Sequence, residues 1–276
     1  MPSIREALSS AAERFTASDS AQLDAQLLLC QVLQCNTAHL YTWPDKAIEP
    51  EQAERFEELV LRREQGEPIA YIRGVQEFYS REFIVNPHTL IPRPETECMI
   101  EQVLEHLDAE RPLKVIDLGT GTGAIAVTLA CERPAWSVSA SDLSAHTLAV
   151  ARDNAERLGA HVSFFEQDWL SGDDRYDLII SNPPYIRCDD PHLQQGDVRF
   201  EPRLALASGT DGMVAIRAII SSASQHLEPG GYLALEHGYD QQALVADTLR
   251  QHGLTIAEQG TDHAGLPRFI TATAAL

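Results

Sequence analysis

Four consecutive residues, Asn182-Pro183-Pro184-Tyr185, have the types and spacing of a site that grips a flat, nitrogen-bearing group. The two prolines fix φ at consecutive positions, and the residue before a proline is restricted too, so the turn that carries Asn182 is stiff. The side-chain oxygen of Asn182 and the carbonyl of Pro183 could each accept one N–H of an incoming –NH₂ group. Tyr185 could stack on the flat group. The segment therefore predicts preorganised acceptors for an amide or amine nitrogen.

A nitrogen of this kind is a weak nucleophile because its lone pair is delocalised, and no side chain of ordinary pKa could deprotonate it beforehand. Catalysis at such a site must therefore rest on positioning. Two fixed hydrogen bonds that favour a more tetrahedral nitrogen would lower the barrier as charge develops on it. We expect Asn182, Pro183 and Tyr185 to be the catalytic residues.

A glycine-rich loop lies upstream of this turn, in the run Gly119-Thr120-Gly121-Thr122-Gly123 between a predicted strand and a predicted helix. Glycines are needed where the backbone must approach a ligand closely, so the loop predicts a nucleotide cradle. The spacing Gly119-x-Gly121-x-x-Ala124 also satisfies the dinucleotide fingerprint, and a purely structural glycine turn is a further alternative.

Acidic and aromatic residues near the loop favour S-adenosylmethionine over a dinucleotide. Asp117 precedes the glycines, where its carboxylate can orient the loop and pair with the positively charged amino group of a methionine moiety. Asp142 closes the next strand and can accept both ribose hydroxyls, a role shared with NAD-type sites. After the third strand, Gln167-Asp168-Trp169 offers a polar contact to the adenine edge and an aromatic flank to its face. All of these positions end successive strands, where open α/β sheets bind their ligands.

The elements that position these residues form an α/β fold, a doubly wound sheet that starts beyond Pro92. Its last two strands are joined without a helix, which predicts an antiparallel edge. From Ile4 to about Gln65 apolar residues recur at helical spacing, and the β-prone pieces 69–72, 77–79 and 83–85 then predict a short hairpin. The predicted domains are a helical N-terminal domain (1–66), a β-hairpin connector (67–90) and a catalytic domain (91–276).

Composition narrows the class of protein. The 21 basic against 41 acidic residues give a formal net charge of −20, which would repel the phosphate backbone of nucleic acid. Five cysteines without a C-x-x-C pair, and histidines without ligand spacing, predict neither a disulfide framework nor a metal site. The chain has no apolar stretch long enough to cross a bilayer and no targeting signal at its start, so we expect a cytoplasmic protein without a membrane partner.

Several motifs together resemble the protein-(glutamine N(5)) methyltransferase family that modifies class I peptide-chain release factors. They are Leu90 to Glu97, the loop Asp117 to Gly123, Asn182 to Tyr185, and the stretch from Asp190 to Arg203. The resemblance covers essentially the whole chain and implies a Rossmann-like class I methyltransferase domain behind a helical N-terminal domain and a β-hairpin. It implies S-adenosylmethionine as methyl donor, S-adenosylhomocysteine as product, and the glutamine of the Gly-Gly-Gln tripeptide of release factors as substrate.

The same resemblance implies a role for individual residues. Substrate contacts fall on Asn182, Pro183, Pro184 and Tyr185. Cofactor contacts fall on the loop Gly119 to Gly123 and on Asp142, Trp169 and Asn182, and three residues would lie over the cofactor pocket: Arg93, Glu95 and Thr96.

Two other functions stay open on the residues alone. Exocyclic –NH₂ groups of adenine or guanine present the same two hydrogens to Asn182 and Pro183, so a nucleic-acid methyltransferase is the main rival, and the acidic charge argues against it. A non-catalytic nucleotide-binding module is the rival from another class, and it leaves the stiff turn at Asn182 without a purpose.

Overall fold

A computed structural model describes residues 1–276 and separates them into two compact units. Unit 1 comprises Met1–Val75 together with Gln194–Phe200, and unit 2 comprises Gln76–Leu193 and Glu201–Leu276. The short segment Gln194–Phe200 therefore packs with the N-terminal residues rather than with its own neighbours in sequence. The predicted division of the chain into three domains stays a prediction.

Unit 1 is helical, as its apolar spacing predicts. Its helices are α1 (Ile4–Arg14), α2 (Ala21–Leu33), α3 (Thr37–Thr42), α4 (Pro50–Glu64) and α5 (Ile69–Arg73). Ser3 and Glu6 form a capping box at the start of α1, and Pro50 occupies the first turn of α4, where its missing N–H costs nothing. Apolar residues from all five helices meet in one core, which includes Leu28, Leu29 and Val60.

The segment 69–72 is a helix, and the prediction of a β-prone piece there is wrong. Pro68 precedes the first turn of α5, and Gly74 ends the helix in the left-handed region at φ 76°. The helix buries Ala70, Tyr71 and Ile72 in succession, whereas a half-buried strand would bury alternate residues. A short apolar run does not by itself distinguish the two conformations.

A buried charge cluster joins parts of unit 1 that are distant in sequence. Arg63 Nε donates to Asp24 Oδ2 at 2.7 Å, and its Nη1 donates to Asp197 Oδ1 at 2.8 Å. The side chains of Arg63 and Asp24 are only 7% and 3% exposed. Ser18 and Ser20 also donate to the Asp24 carboxylate, so both oxygens of this buried carboxylate are hydrogen-bonded.

Strands β1 (Val75–Phe78) and β2 (Arg81–Ile84) form the predicted hairpin, two residues earlier than expected. Tyr79 and Ser80 make its turn with φ of 50° and 58°, as a tight hairpin turn requires. Phe78 and Phe83 are buried in the core of unit 2, where their rings lie 5.9 Å apart in an edge-to-face arrangement.

The rest of unit 2 alternates strands and helices around one seven-stranded sheet. Its long helices are α6 (Pro94–His106), α7 (Ala124–Glu132), α8 (Ala145–Leu158), α10 (Val214–His226) and α11 (Gln242–Gln251), with the short α9 (Arg203–Leu206) before α10. Its strands are β3 (Lys114–Leu118), β4 (Ser137–Asp142), β5 (Val162–Glu166), β6 (Tyr176–Ser181), β7 (Leu227–Glu236), β8 (Thr255–Thr261) and β9 (Pro267–Thr273). The strand order is β5-β4-β3-β6-β7-β9-β8. Strand β9 runs antiparallel to both neighbours, which confirms the predicted antiparallel edge.

Side chains of the central strands alternate between two apolar cores, one on each face of the sheet. In β6, Leu178 and Ile180 pack into one core with α6 and α7, while Ile179 packs into the other with α10 and α11. Helices therefore cover both faces, and the predicted α/β fold class is confirmed. Strands β4 and β5 are added to the sheet on one side of β3, and β6 and β7 are added on the other side. The sheet therefore has a switch point between β3 and β6. None of the helices is long and apolar enough to cross a membrane.

Candidate active site

The glycine loop follows β3 at the switch point of the sheet. Gly119, Gly121 and Gly123 have φ of 68°, 58° and 82°, a left-handed conformation that side chains with a Cβ avoid. A Cβ at Gly123 would lie 3.3 Å from the side chains of Ala151 and Val127, so this glycine also lets α7 and α8 approach. Around Gly121 a Cβ would meet no protein atom within 4 Å, which leaves that side of the loop open to a ligand.

Asp117 lies beneath the loop and is fully buried. Its Oδ2 accepts from the Thr120 hydroxyl at 2.6 Å and from the backbone N–H of Ala126 at 3.3 Å, so the carboxylate holds the loop to the start of α7. Its Oδ1 has no hydrogen-bond partner within the protein. Burial raises the pKa of Asp117 to about 7, against which the two hydrogen bonds act. The loop-orienting role fits this geometry, whereas direct contact with a ligand would need Asp117 to become accessible.

Asp142 ends β4 beside the same loop. Its Oδ2 accepts from the N–H of Gly121 at 3.1 Å, and its Oδ1 accepts from the N–H of Ser144 at 3.0 Å. Each carboxylate oxygen keeps one further acceptor position, so the pair can take two hydroxyls of a diol. Burial raises the pKa of Asp142, and the backbone hydrogen bonds oppose that shift.

The segment after β5 forms a tight loop around Trp169, whose φ is 53°. The carbonyl of Trp169 accepts from Ser141 Oγ at 3.2 Å and from Gln167 Nε2 at 2.9 Å. Because Gln167 Oε1 also accepts from Ser171, both ends of the Gln167 amide are used inside the loop. Asp168 carries no such internal hydrogen bond, which leaves it as the polar group of this segment that can face a ligand.

Asn182 follows β6 and is held by a residue from a different helix. Its Nδ2 donates to Thr96 Oγ1 at 2.9 Å, and the preceding Ser181 fixes the end of β6 by donating to the carbonyl of Leu118 at 2.6 Å. Asn182 Oδ1 has no donor within the protein, and neither does the carbonyl of Pro183. Two unpaired acceptors thus stand on consecutive residues, as the Asn-Pro-Pro-Tyr turn predicts.

Glu236, to which the sequence assigned no role, connects this turn to Thr96. The Thr96 hydroxyl donates to Glu236 Oε2 at 2.6 Å, and the Tyr185 hydroxyl donates to Glu236 Oε1 at 3.1 Å. Burial raises the pKa of Glu236 to about 7, and it also raises the pKa of Tyr185. An acidic residue directly after the apolar run Tyr232 to Leu235 is the sequence signal that could have indicated Glu236.

Arg93 lies beside Glu201 in the same unit. The side chain of Glu201 is completely buried and accepts from Arg93 and from the N–H of Ile91, the latter at 2.9 Å. This carboxylate thereby ties the stretch before α6 to the stretch before α9. Glu95, the residue before Thr96 on α6, contributes a negative charge that raises the pKa of Glu236.

A cavity of about 560 Å³ lies between the glycine loop and these residues, within the size range of small-molecule sites. Ten of the predicted site residues line it: Arg93, Thr96, Gly119, Thr120, Gly121, Thr122, Asp142, Trp169, Asn182 and Pro184. Five predicted residues do not line it: Glu95, Asp117, Gly123, Pro183 and Tyr185. Tyr185 instead packs against the core and hydrogen-bonds with Glu236, so stacking on a substrate would need its ring to be reached from outside the cavity.

The polar groups that line the cavity suit a nucleoside with a positively charged tail. Asp142 offers acceptors for a diol, Asp168 adds a second carboxylate, and the open side of Gly121 gives room for close approach. No group of three or more His, Cys, Asp or Glu side chains is arranged to hold a metal ion.

Two solved methyltransferase structures share the fold of unit 2. A methyltransferase from Pyrococcus furiosus has a TM-score of 0.56 at 15% identity, covering 80% of this chain and 98% of that chain. The 16S rRNA N2 G1207 methyltransferase of T. thermophilus, in complex with AdoMet and guanosine, has a TM-score of 0.53 at 18% identity over 72% of this chain and 49% of that one. Similarity at this level concerns the fold of unit 2 and confirms its class.

Family models match both parts of the chain. The PrmC N-terminal domain matches residues 6–74, and the methyltransferase small domain matches residues 100–195. A release factor glutamine methyltransferase of Shewanella oneidensis is 49% identical over 91% of this chain and 88% of its own length. The enzymes of that name from Vibrio cholerae and Salmonella typhimurium are 45% and 44% identical, covering 96% and 91% of this chain and 94% and 91% of their own lengths. The chain therefore belongs to the release factor glutamine methyltransferase family.

Proposed function

We propose that this enzyme transfers a methyl group from S-adenosylmethionine to the side-chain amide nitrogen of the glutamine in the Gly-Gly-Gln tripeptide of class I release factors. The observation that carries the proposal is the pair of unpaired acceptors at Asn182 Oδ1 and the carbonyl of Pro183, next to the cavity of the glycine loop. A primary amide has two N–H groups on one nitrogen, and two acceptors on adjacent residues match them.

The cofactor would lie along the ends of β3, β4 and β5. Asp142 would accept the ribose hydroxyls, Trp169 and Asp168 would flank the adenine, and the loop from Gly119 to Thr122 would hold the methionine part. When bound, S-adenosylmethionine supplies an electrophilic methyl group on a sulfonium and leaves as S-adenosylhomocysteine. We propose that Arg93 and Thr96 border this pocket. Asp117 and Gly123 would shape the glycine loop from outside the pocket, and Glu95 would act on the charge of Glu236.

Asn182 and Pro183 would orient the substrate amide so that its nitrogen faces the methyl carbon. The amide nitrogen would take up the methyl group that the cofactor supplies and would release one of its two protons to water. Both acceptors interact more strongly as positive charge develops on the nitrogen, so they stabilise the transition state more than the ground state. Pro184 and Tyr185 would shape the entry for the glutamine.

Two features of the chain support a protein partner. The net charge of −20 disfavours nucleic acid and favours a partner with a basic surface. The five cysteines are unpaired, which suits action in the reducing cytoplasm, where release factors would be met.

The test is methyl transfer from labelled S-adenosylmethionine to a class I release factor, with tRNA, rRNA and DNA offered in parallel. A matched release factor in which glutamate replaces the glutamine of Gly-Gly-Gln keeps the shape of the side chain but lacks the –NH₂ group. We expect label only in the unchanged release factor, with one added methyl on that glutamine by mass spectrometry. Label that appears only in nucleic acid, or equally in the glutamate variant, would overturn the proposal.

A further inference from the structure

The amide of Asn182 has two ends of nearly the same shape and opposite chemistry. Its oxygen can accept from a substrate –NH₂ group, whereas its –NH₂ end would repel that group. Packing alone distinguishes the two orientations poorly, because a half-turn of the amide changes its volume very little. An enzyme of the proposed function therefore needs a chemical reason for Oδ1 to face the substrate.

Thr96 provides that reason because its hydroxyl has one proton to donate. The hydroxyl lies 2.6 Å from Glu236 Oε2 and 2.9 Å from Asn182 Nδ2. An ionised carboxylate only accepts hydrogen bonds, so the Thr96 proton must point to Glu236. The lone pairs of Thr96 Oγ1 then face Asn182 and can pair only with its –NH₂ end.

The pair is buried and fixed from several sides. Thr96 is 3% exposed and Glu236 is 1% exposed, so no water competes for the hydroxyl and the hydrogen bonds are stronger than they would be at the surface. The other oxygen of Glu236 accepts from Tyr185, which belongs to the same turn as Asn182. Strands β6 and β7 pair Ser181 with Leu235, which brings the residues that follow them, Asn182 and Glu236, to the same edge of the sheet.

We propose that Glu236, acting through the hydroxyl of Thr96, holds the Asn182 amide with Oδ1 toward the substrate, so that both are positioning residues for methyl transfer. The inference rests on the proposed function of Asn182. It adds one requirement to that function: the proton of the Thr96 hydroxyl must point to Glu236, and the charge of Glu236 sets this direction.

The charge of Glu236 has a measurable consequence. Burial raises its pKa to about 7; the hydrogen bonds from Thr96 and Tyr185 and the charge of Arg268 on β9 oppose the rise, and Glu95 on α6 adds to it. A protonated Glu236 can donate to Thr96 Oγ1, which frees the Thr96 proton to be donated to Asn182 Oδ1 and lets the amide turn. Turnover by the wild-type enzyme should therefore fall as the pH is lowered through about 7.

The main test compares Thr96→Val with Thr96→Ser. Valine keeps the shape of threonine without its hydroxyl, whereas serine keeps the hydroxyl. We expect Thr96→Val to lower kcat by roughly 10- to 100-fold and Thr96→Ser to recover most of kcat. Thr128→Val is the matched control, since Thr128 is also fully buried but its hydroxyl has no partner, and its kcat should equal that of wild type.

A second test removes the titration. Glu236→Gln cannot ionise, so the loss of kcat at acidic pH should disappear in this variant, whatever its absolute rate. The side-chain ¹⁵N resonance of Asn182, identified by its absence in Asn182→Asp, should shift with the same pKa in the wild type and stay constant in Glu236→Gln. This readout needs no release factor, so it separates a failure of the inference from a failure of the proposed function.

Several outcomes would overturn the inference. They are an unchanged kcat in Thr96→Val, an equal loss in Thr96→Val and Thr96→Ser, and a wild-type pH profile that is flat between about pH 6 and 8. The wild-type profile and the Asn182 resonance decide the matter even if a substituted enzyme does not fold. If the wild type methylates no release factor while the Asn182 resonance titrates as expected, the proposed function fails and the amide-orienting role stands.

Discussion

Replacing Asp142 by asparagine should weaken cofactor binding by an amount that its hydrogen bonds allow us to estimate. Each oxygen of the carboxylate already accepts one backbone N–H, from Gly121 at 3.1 Å and from Ser144 at 3.0 Å, so one acceptor position per oxygen remains for the ribose. Asparagine keeps a single acceptor oxygen and turns an –NH₂ end toward one of those N–H groups. At least one charge-assisted bond is lost, which costs about 1.5–3 kcal/mol and raises Kd roughly 10- to 150-fold.

Titration calorimetry with S-adenosylhomocysteine measures this loss directly. Asp153→Asn is the matched control, because it removes the same charge from an exposed position on α8, the helix that follows Asp142. We expect wild-type affinity in the control. The affinity of the wild type should also weaken toward acidic pH, since the raised pKa of Asp142 brings its protonation closer to neutrality. A Kd for Asp142→Asn within 2-fold of wild type, or an equal loss in Asp153→Asn, would refute the assignment of Asp142 to the ribose.

Three further changes have defined outcomes. Asn182→Ala should lower kcat by roughly 100-fold or more with cofactor affinity largely kept, because one of two orienting acceptors is lost; unchanged turnover in steady-state assays would contradict its role. Arg63→Met should reduce the free energy of unfolding by about 3–5 kcal/mol in urea titrations, because Asp24 is left charged and buried, whereas adding Asp24→Leu should recover most of the loss. Burial raises the pKa of Asp117 from 3.8 to about 7, so its contribution to stability is complete below about pH 4 and is lost as the pH rises to 7. Melting temperatures of wild type and Asp117→Asn should therefore diverge between these pH values, and parallel curves would contradict the raised pKa.

The order of elements in unit 2 could be predicted from the sequence because each long element has a clear period and a clear end. The bounds of the strand Tyr176–Ser181 are visible in the sequence, because Asp174 and Arg175 precede its apolar run and Pro183 follows it. The start of α8 is also visible, because Ser144 is a favoured N-cap residue and accepts from the N–H of Thr147. Elements set by tertiary packing were not predicted: α3, α9 and the 3₁₀ turn Asp197–Phe200 are too short to show a period.

The residues of the candidate site were predicted where they follow a strand directly, and missed where their role depends on pairing between strands. Asp142 ends a predicted strand, Gly121 and Asn182 follow one, and all three line the cavity. Glu236 also ends a predicted strand, but its partners come from α6 and from the turn after β6, which only the register of the sheet brings together. Glu201 contacts Arg93 from 108 positions away in the sequence, and no local pattern indicates such a contact.

The segment Gln194–Phe200 has a consequence for how such proteins can be recombined. Because it packs with Met1–Val75, unit 1 is encoded in two separate pieces of the gene rather than one. An exchange of the first piece alone between two relatives would leave Asp197 to meet a foreign partner in place of Arg63. A working chimera of this family should therefore take Met1–Val75 and Gln194–Phe200 from the same parent, rather than the N-terminal helices alone.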